Sequence, residues 1–149
     1  RTSSKMNRVE HLTEELLERL LESSDISDYL DSQAVVEREL PDYLFALMKA
    51  HNLKRADVVR GSGVNATVVY DIFAGKSKPG RDHAIMIAFG LECDLRETQR
   101  LLRLAGVAEL WCKQRRDAII IWCINKAFDR LATDNELCRM GERPLLQTN

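Results

Sequence analysis

Ten side chains inside one short stretch have the types and spacing to bind a polyanion and to touch base edges. They are Arg55, Arg60, Asn65, Ala66, Thr67, Tyr70, Asp71, Lys76, Lys78 and Arg81. The cations can neutralise phosphates, which positions a partner without reading its sequence. Asn65 can pair with adenine or cap a helix, and capping is the preferred role. Thr67 can meet a thymine methyl or a phosphate, and Tyr70 a phosphate or a sugar. Asp71 can accept from cytosine N4, although it also repels the phosphate backbone. No Gln or Arg lies on the outward face of the helix from Asn65 to Ala74, so direct base readout is sparse. Affinity then rests mainly on Arg55, Arg60, Lys76, Lys78 and Arg81.

The elements that must hold these groups are legible in residues 54–79, KRADVVRGSGVNATVVYDIFAGKSKP. Val58 and Val59 mark a short amphipathic helix, and Gly63 supplies a left-handed turn at no steric cost. Val64 follows as a buried plug. Asn65 opens a second helix with Val68, Val69, Ile72 and Phe73 as its apolar positions. Gly75 and Pro79 close the unit, with Lys76 and Lys78 between them.

This stretch resembles the helix-turn-helix of the phage-repressor-like (Cro/repressor, XRE) family. The resemblance runs through Val58, Gly63, Val64, Val69 and Ile72 to the trailing Gly75-Lys76-Ser77-Lys78-Pro79, similar to the family's "GKxxP". Arg55 stands where the family usually has Gln, and Val59 where it usually has Ala. The resemblance implies an all-α chain with a five-helix DNA-binding domain over residues 41–110. It also implies a sequence-specific transcriptional regulator, a repressor, that lays Asn65–Ala74 in the major groove of double-stranded DNA. Family members commonly act as symmetric dimers, and a regulatory protein partner is compatible with the pattern. The rival from another class is a protein-interaction adaptor on the same scaffold that no longer binds DNA. A purely structural helical hairpin is the plainest alternative.

Charge distribution favours the nucleic-acid reading. The chain of 149 residues carries a formal net charge of −1. Residues 9–46 nevertheless hold eleven acids against Arg19 and Arg38, a net of −9, whereas residues 49–81 carry a net of +5, seven cations against Asp57 and Asp71. A local basic patch on a near-neutral protein suits a small DNA-binding module.

No constellation for catalysis is visible. His11, His51 and His83 lie far apart, and Gly61-Ser62-Gly63 belongs to the turn instead of a phosphate loop. Cys93, Cys112, Cys123 and Cys138 match no zinc spacing, and three of them lie in apolar stretches as small buried hydrophobes. Neither a metal nor a cofactor is expected, and reduced thiols fit the cytoplasm. The apolar run from Ala118 to Ile124 is too short to cross a bilayer.

Around the motif the periodicity predicts further helices. Residues 1–8 read as a disordered or tag-derived segment, and residues 9–40 as an acidic helical extension. There Val9, Leu12, Leu16, Leu17, Leu20 and Leu21 form one stripe, packed either on the chain's own core or against another subunit. A short helix carries Ile26, Tyr29 and Leu30, and a weaker one Val35, Val36 and Leu40. Pro41 suits the first position of the next helix. A fourth helix of the domain spans Arg81–Gly90, and a fifth spans Asp94–Ala105 with Asp94 and Glu97 spaced as a capping box.

Residues 111–149 read as a helical hairpin that duplicates 81–110. A shift of 35 aligns Arg81-Asp82 with Arg116-Asp117, Ile85 with Ile120, Asp94 with Asp129 and Thr98 with Thr133. It also aligns Leu102 with Leu137, Gly106 with Gly141 and Leu110 with Leu145. The second copy's Ile119–Ile124 leaves no polar face. That helix therefore needs cover on every side, from the rest of the chain or from a second subunit.

Overall fold

The computed structural model describes residues 14–31 and 39–147, which form nine helices. No strand occurs among the described residues, and none of their helices is long and apolar enough to cross a membrane. The chain divides into two compact units, residues 1–37 and Arg38–Asn149.

In the first unit, residues 14–22 are helical (α1), and α2 spans Ile26–Asp31. Ser23 ends α1 by donating its hydroxyl to the Arg19 carbonyl at 2.7 Å. Asp25 starts α2 by accepting the Ser27 N–H at 3.1 Å, and that bond holds its carboxyl below the usual range. Leu17 and Leu21 of the predicted stripe are 52% and 75% exposed. Val9, Leu12, Val35, Val36 and the segment 1–8 lie outside the described residues.

The second unit contains α3 (Glu39–Ala50), α4 (Arg55–Ser62), α5 (Ala66–Phe73), α6 (Arg81–Gly90), α7 (Leu95–Leu104), α8 (Arg115–Asn125) and α9 (Arg130–Arg139). α3 starts two residues before Pro41, whose missing N–H still falls in the first turn, where no carbonyl awaits it. Leu40, predicted on the preceding segment, belongs to α3 and is buried. α7 opens on a reciprocal capping box between Asp94 and Glu97.

One apolar core runs through this unit. Leu44, Val58, Val69, Phe73, Ile85, Ile87, Leu101 and Leu102 are fully buried, and so are Ile120 and Leu137 from the last two helices. Each such large side chain contributes about 1.5–3 kcal/mol by leaving water. α4 crosses α6 at backbone contact. A Cβ on Gly90 would lie 2.6 Å from the Val58 carbonyl oxygen, so only glycine allows this approach.

The contacts of α6–α7 recur thirty-five residues later in α8–α9. Arg81 donates to the carbonyls of Ala108 and Glu109, and Arg116 to those of Arg143 and Pro144. Thr98 bonds the Asp94 carbonyl at 2.8 Å, and Thr133 that of Asp129 at 2.9 Å. Gln99 Oε1 accepts the Leu110 N–H, and Asp134 Oδ1 that of Leu145. Left-handed turns recur at Glu92 and Ala127 and at Gly106 and Gly141.

The two hairpins then clasp each other reciprocally. Arg81 pairs with Asp117 and Arg116 with Asp82, each through two hydrogen bonds. Likewise α6 touches α9 while α7 touches α8. Exchanged contacts of this kind define a local pseudo-twofold axis.

Among the described residues the chain covers α8 only in part. Ile120 and Cys123 are buried, but Trp122 is 48% exposed, in edge-to-face contact with Phe128 and with Lys126 Nζ over its ring. Under the pseudo-twofold, Trp122 corresponds to Ile87, which sits in the core on the helix that α4 crosses. Nothing equivalent to α4 lies over α8 among the described residues.

Candidate nucleic-acid interface

α4 and α5 are joined by a turn held by bonds of its own side chains and backbone. Ser62 is buried, donates its hydroxyl to the Val59 carbonyl and accepts the Val64 N–H at 3.1 Å. Gly63 takes φ +76°, and its N–H closes on the Val59 carbonyl at 3.1 Å. Any side chain there would be strained, and its Cβ would meet Arg130 Nε of α9 at 2.9 Å. Val64 is buried as the plug.

α5 has two faces. Val69, Ile72 and Phe73 enter the core, and Phe45 of α3 meets Phe73 edge-on at 5.3 Å while remaining 42% exposed. The opposite face presents Asn65, Thr67, Tyr70 and Ala74 to solvent, with Ala66 and Asp71 half-buried. Asn65 is the N-cap: its Oδ1 accepts the Thr67 N–H at 2.8 Å. Of its two predicted roles, capping is the one its oxygen performs here.

The cations sort differently from the sequence expectation. Lys76 and Lys78 are exposed, with no carboxylate partner among the described residues, in the loop after α5. Arg60 pairs with Asp57 at 2.5 Å on the surface of α4. Asp57 also accepts the Lys54 N–H at 2.9 Å. That bond, helped by Arg60, holds its carboxyl below the ordinary aspartate range.

Arg81 needs correction as a phosphate contact. Its guanidinium donates to Ala108 and Glu109 and bidentately to Asp117, whose carboxyl is almost wholly buried. Four of its five N–H donors are thereby spent inside the protein, which leaves one for any outside partner. Burial and charge make it structural, and Asp117 holds it more firmly protonated.

Arg55 also has a partner that sequence spacing did not reveal. Its Cζ lies 5.1 Å over the ring of Tyr70, across the turn. The cations around α5 are therefore Arg55 over Tyr70, Arg60 paired with Asp57, and Lys76 and Lys78, exposed and without a carboxylate partner among the described residues.

No other chemical centre forms among the described residues. Three or more His, Cys, Asp or Glu side chains do not converge on a metal-sized space there. His51 bonds both carboxylate oxygens of Glu97, at 3.0 and 3.1 Å, joining α3 to α7. All four cysteines are free thiols. Only Cys123 is fully buried, Cys93 is half-buried, and Cys112 and Cys138 are exposed, so the expected burial of three is corrected. Burial pushes the thiols of Cys93 and Cys123 up, away from reactivity. Compared with known family models, curated proteins and solved structures, the chain matches none.

Proposed function

We propose that this chain is a sequence-specific DNA-binding transcriptional regulator of the repressor type. It is built on a five-helix repressor-like domain, α3–α7, with α5 entering the major groove. α8 and α9 buttress that domain as a second hairpin. The observation that carries the reading is the division of α5: one face is core, and the other is polar, exposed and flanked by Arg55, Lys76 and Lys78. A helix anchored from behind, with a cation over its free face and two more just beyond its C-terminus, suits a groove lined by phosphates. A homodimer bound to two half-sites, in the cytoplasm with reduced thiols, completes the proposal.

The test is fluorescence-anisotropy titration of duplex DNA at two salt concentrations. Phosphate contacts from Arg60, Lys76 and Lys78 give a log–log slope of about −3 per subunit. A slope near zero, or no binding at low salt, removes the reading. Gel filtration at micromolar concentration checks the dimer, and a single-chain mass would remove it.

A protein-interaction adaptor is the second reading. Ala66, Ala74 and Asp71 on the free face of α5, with Phe45 exposed beside it, favour a surface that meets protein. It predicts absence of salt-sensitive DNA affinity.

A further inference from the structure

We propose that Arg55 reads a guanine in the major groove and that Tyr70 presents it, an assignment that rests on the DNA-binding reading of α5. Arg55 is the first residue of α4, outside the helix that would enter the groove. Its guanidinium is nevertheless carried onto the outward face of α5, 5.1 Å above the ring of Tyr70, which is itself 44% exposed. It thus supplies the planar cation that α5 lacks in its own sequence.

That placement decides what such a group can do. A guanidinium held over a ring as a cation spends none of its N–H donors on that contact. Arg81 has its edge occupied by Asp117 and two backbone carbonyls, and Arg60 is drawn back along α4 by one bond to Asp57. Arg55 has no hydrogen bond or carboxylate partner among the described residues. An arginine held over a ring with its donors unspent matches the O6 and N7 acceptors of guanine, the pairing that gives arginine its base specificity. A phosphate contact asks for less, because it accepts any flexible point charge, and Lys76 and Lys78 already provide those.

The test uses the full chain. A randomised duplex pool is selected on the wild type, and the selected duplex is then titrated with each guanine replaced in turn by 7-deazaguanine, which lacks the N7 acceptor. The wild type should lose about tenfold or more in affinity at one guanine. Arg55→Ala and Arg55→Lys should bind the unmodified duplex more weakly and be indifferent to the replacement at that position. Tyr70→Phe should keep the preference, and Tyr70→Ala should reduce it. Both residues are exposed, so unchanged melting temperatures verify the fold. The assignment is overturned if Arg55→Ala weakens every duplex by one factor with a salt slope shallower by about one, because that is a phosphate contact. Salt-sensitive binding with no guanine preference in the selected pool also overturns it, while leaving the DNA-binding reading intact. A wild type that binds no duplex overturns both.

Discussion

Arg81 and Lys76 look equivalent on the page of the sequence, two cations flanking the same motif, yet their surroundings give them different work. Arg81 neutralises a carboxylate that is nearly buried, whereas Lys76 is exposed and has no carboxylate partner among the described residues. Arg81→Ala should therefore cost about 3 kcal/mol of stability, measured by urea denaturation, because it leaves Asp117 buried beside a missing charge. The Trp111 N–H that also bonds Asp117 keeps the loss at the lower end of that class. Lys76→Ala should leave the denaturation midpoint unchanged and weaken all duplexes about equally. Sequence could supply the charge and the helix but not the partner: Asp117 lies thirty-six residues away. The contact of Arg55 with Tyr70 was hidden for the same reason, since its spacing of fifteen matches no helical neighbour rule.

At the scale of elements, local signals were strong where a residue acts on its own backbone. Asn65, Asp94 and Gly63 were legible as cap, capping box and turn because each role is satisfied within a few residues. Gly63 carries a further constraint that no local pattern holds, the Arg130 side chain where a Cβ would go. Replacement of Gly63 by Ala should thus destabilise more than the same change at Gly106, which has a matching φ but open space around it. The common backbone penalty is about 1–2 kcal/mol, and a thermal-melt comparison of the two variants isolates the contact. Asp57 gives α4 a pH dependence. Its folded value is depressed, so its contribution is present above the unfolded aspartate value and is lost as pH falls through the lower folded one. The stability advantage of the wild type over Asp57→Asn should shrink across that acid window, followed by urea midpoints at stepped pH.

The larger unit, Arg38–Asn149, is organised by the reciprocal clasp of two hairpins and by the single core that passes through both. Both tryptophans, Trp111 and Trp122, belong to the second hairpin and its approach. If that hairpin is part of the domain's core, tryptophan fluorescence and the main far-UV circular dichroism transition should share one denaturation midpoint. Separate midpoints would make the hairpin an independent appendage.

The helical class, the turn at Gly63, the limits of α5 and the thirty-five-residue correspondence came from sequence alone, because each rests on periodicity, backbone preference or neighbours in the chain. Three further matters were decided only in three dimensions. Arg81 was diverted to Asp117, Arg55 was brought over Tyr70, and Trp122 was left at the surface where its counterpart Ile87 is buried. Each depends on which distant side chain lies within a few ångströms. That is a property of how helices pack, which composition and spacing do not encode.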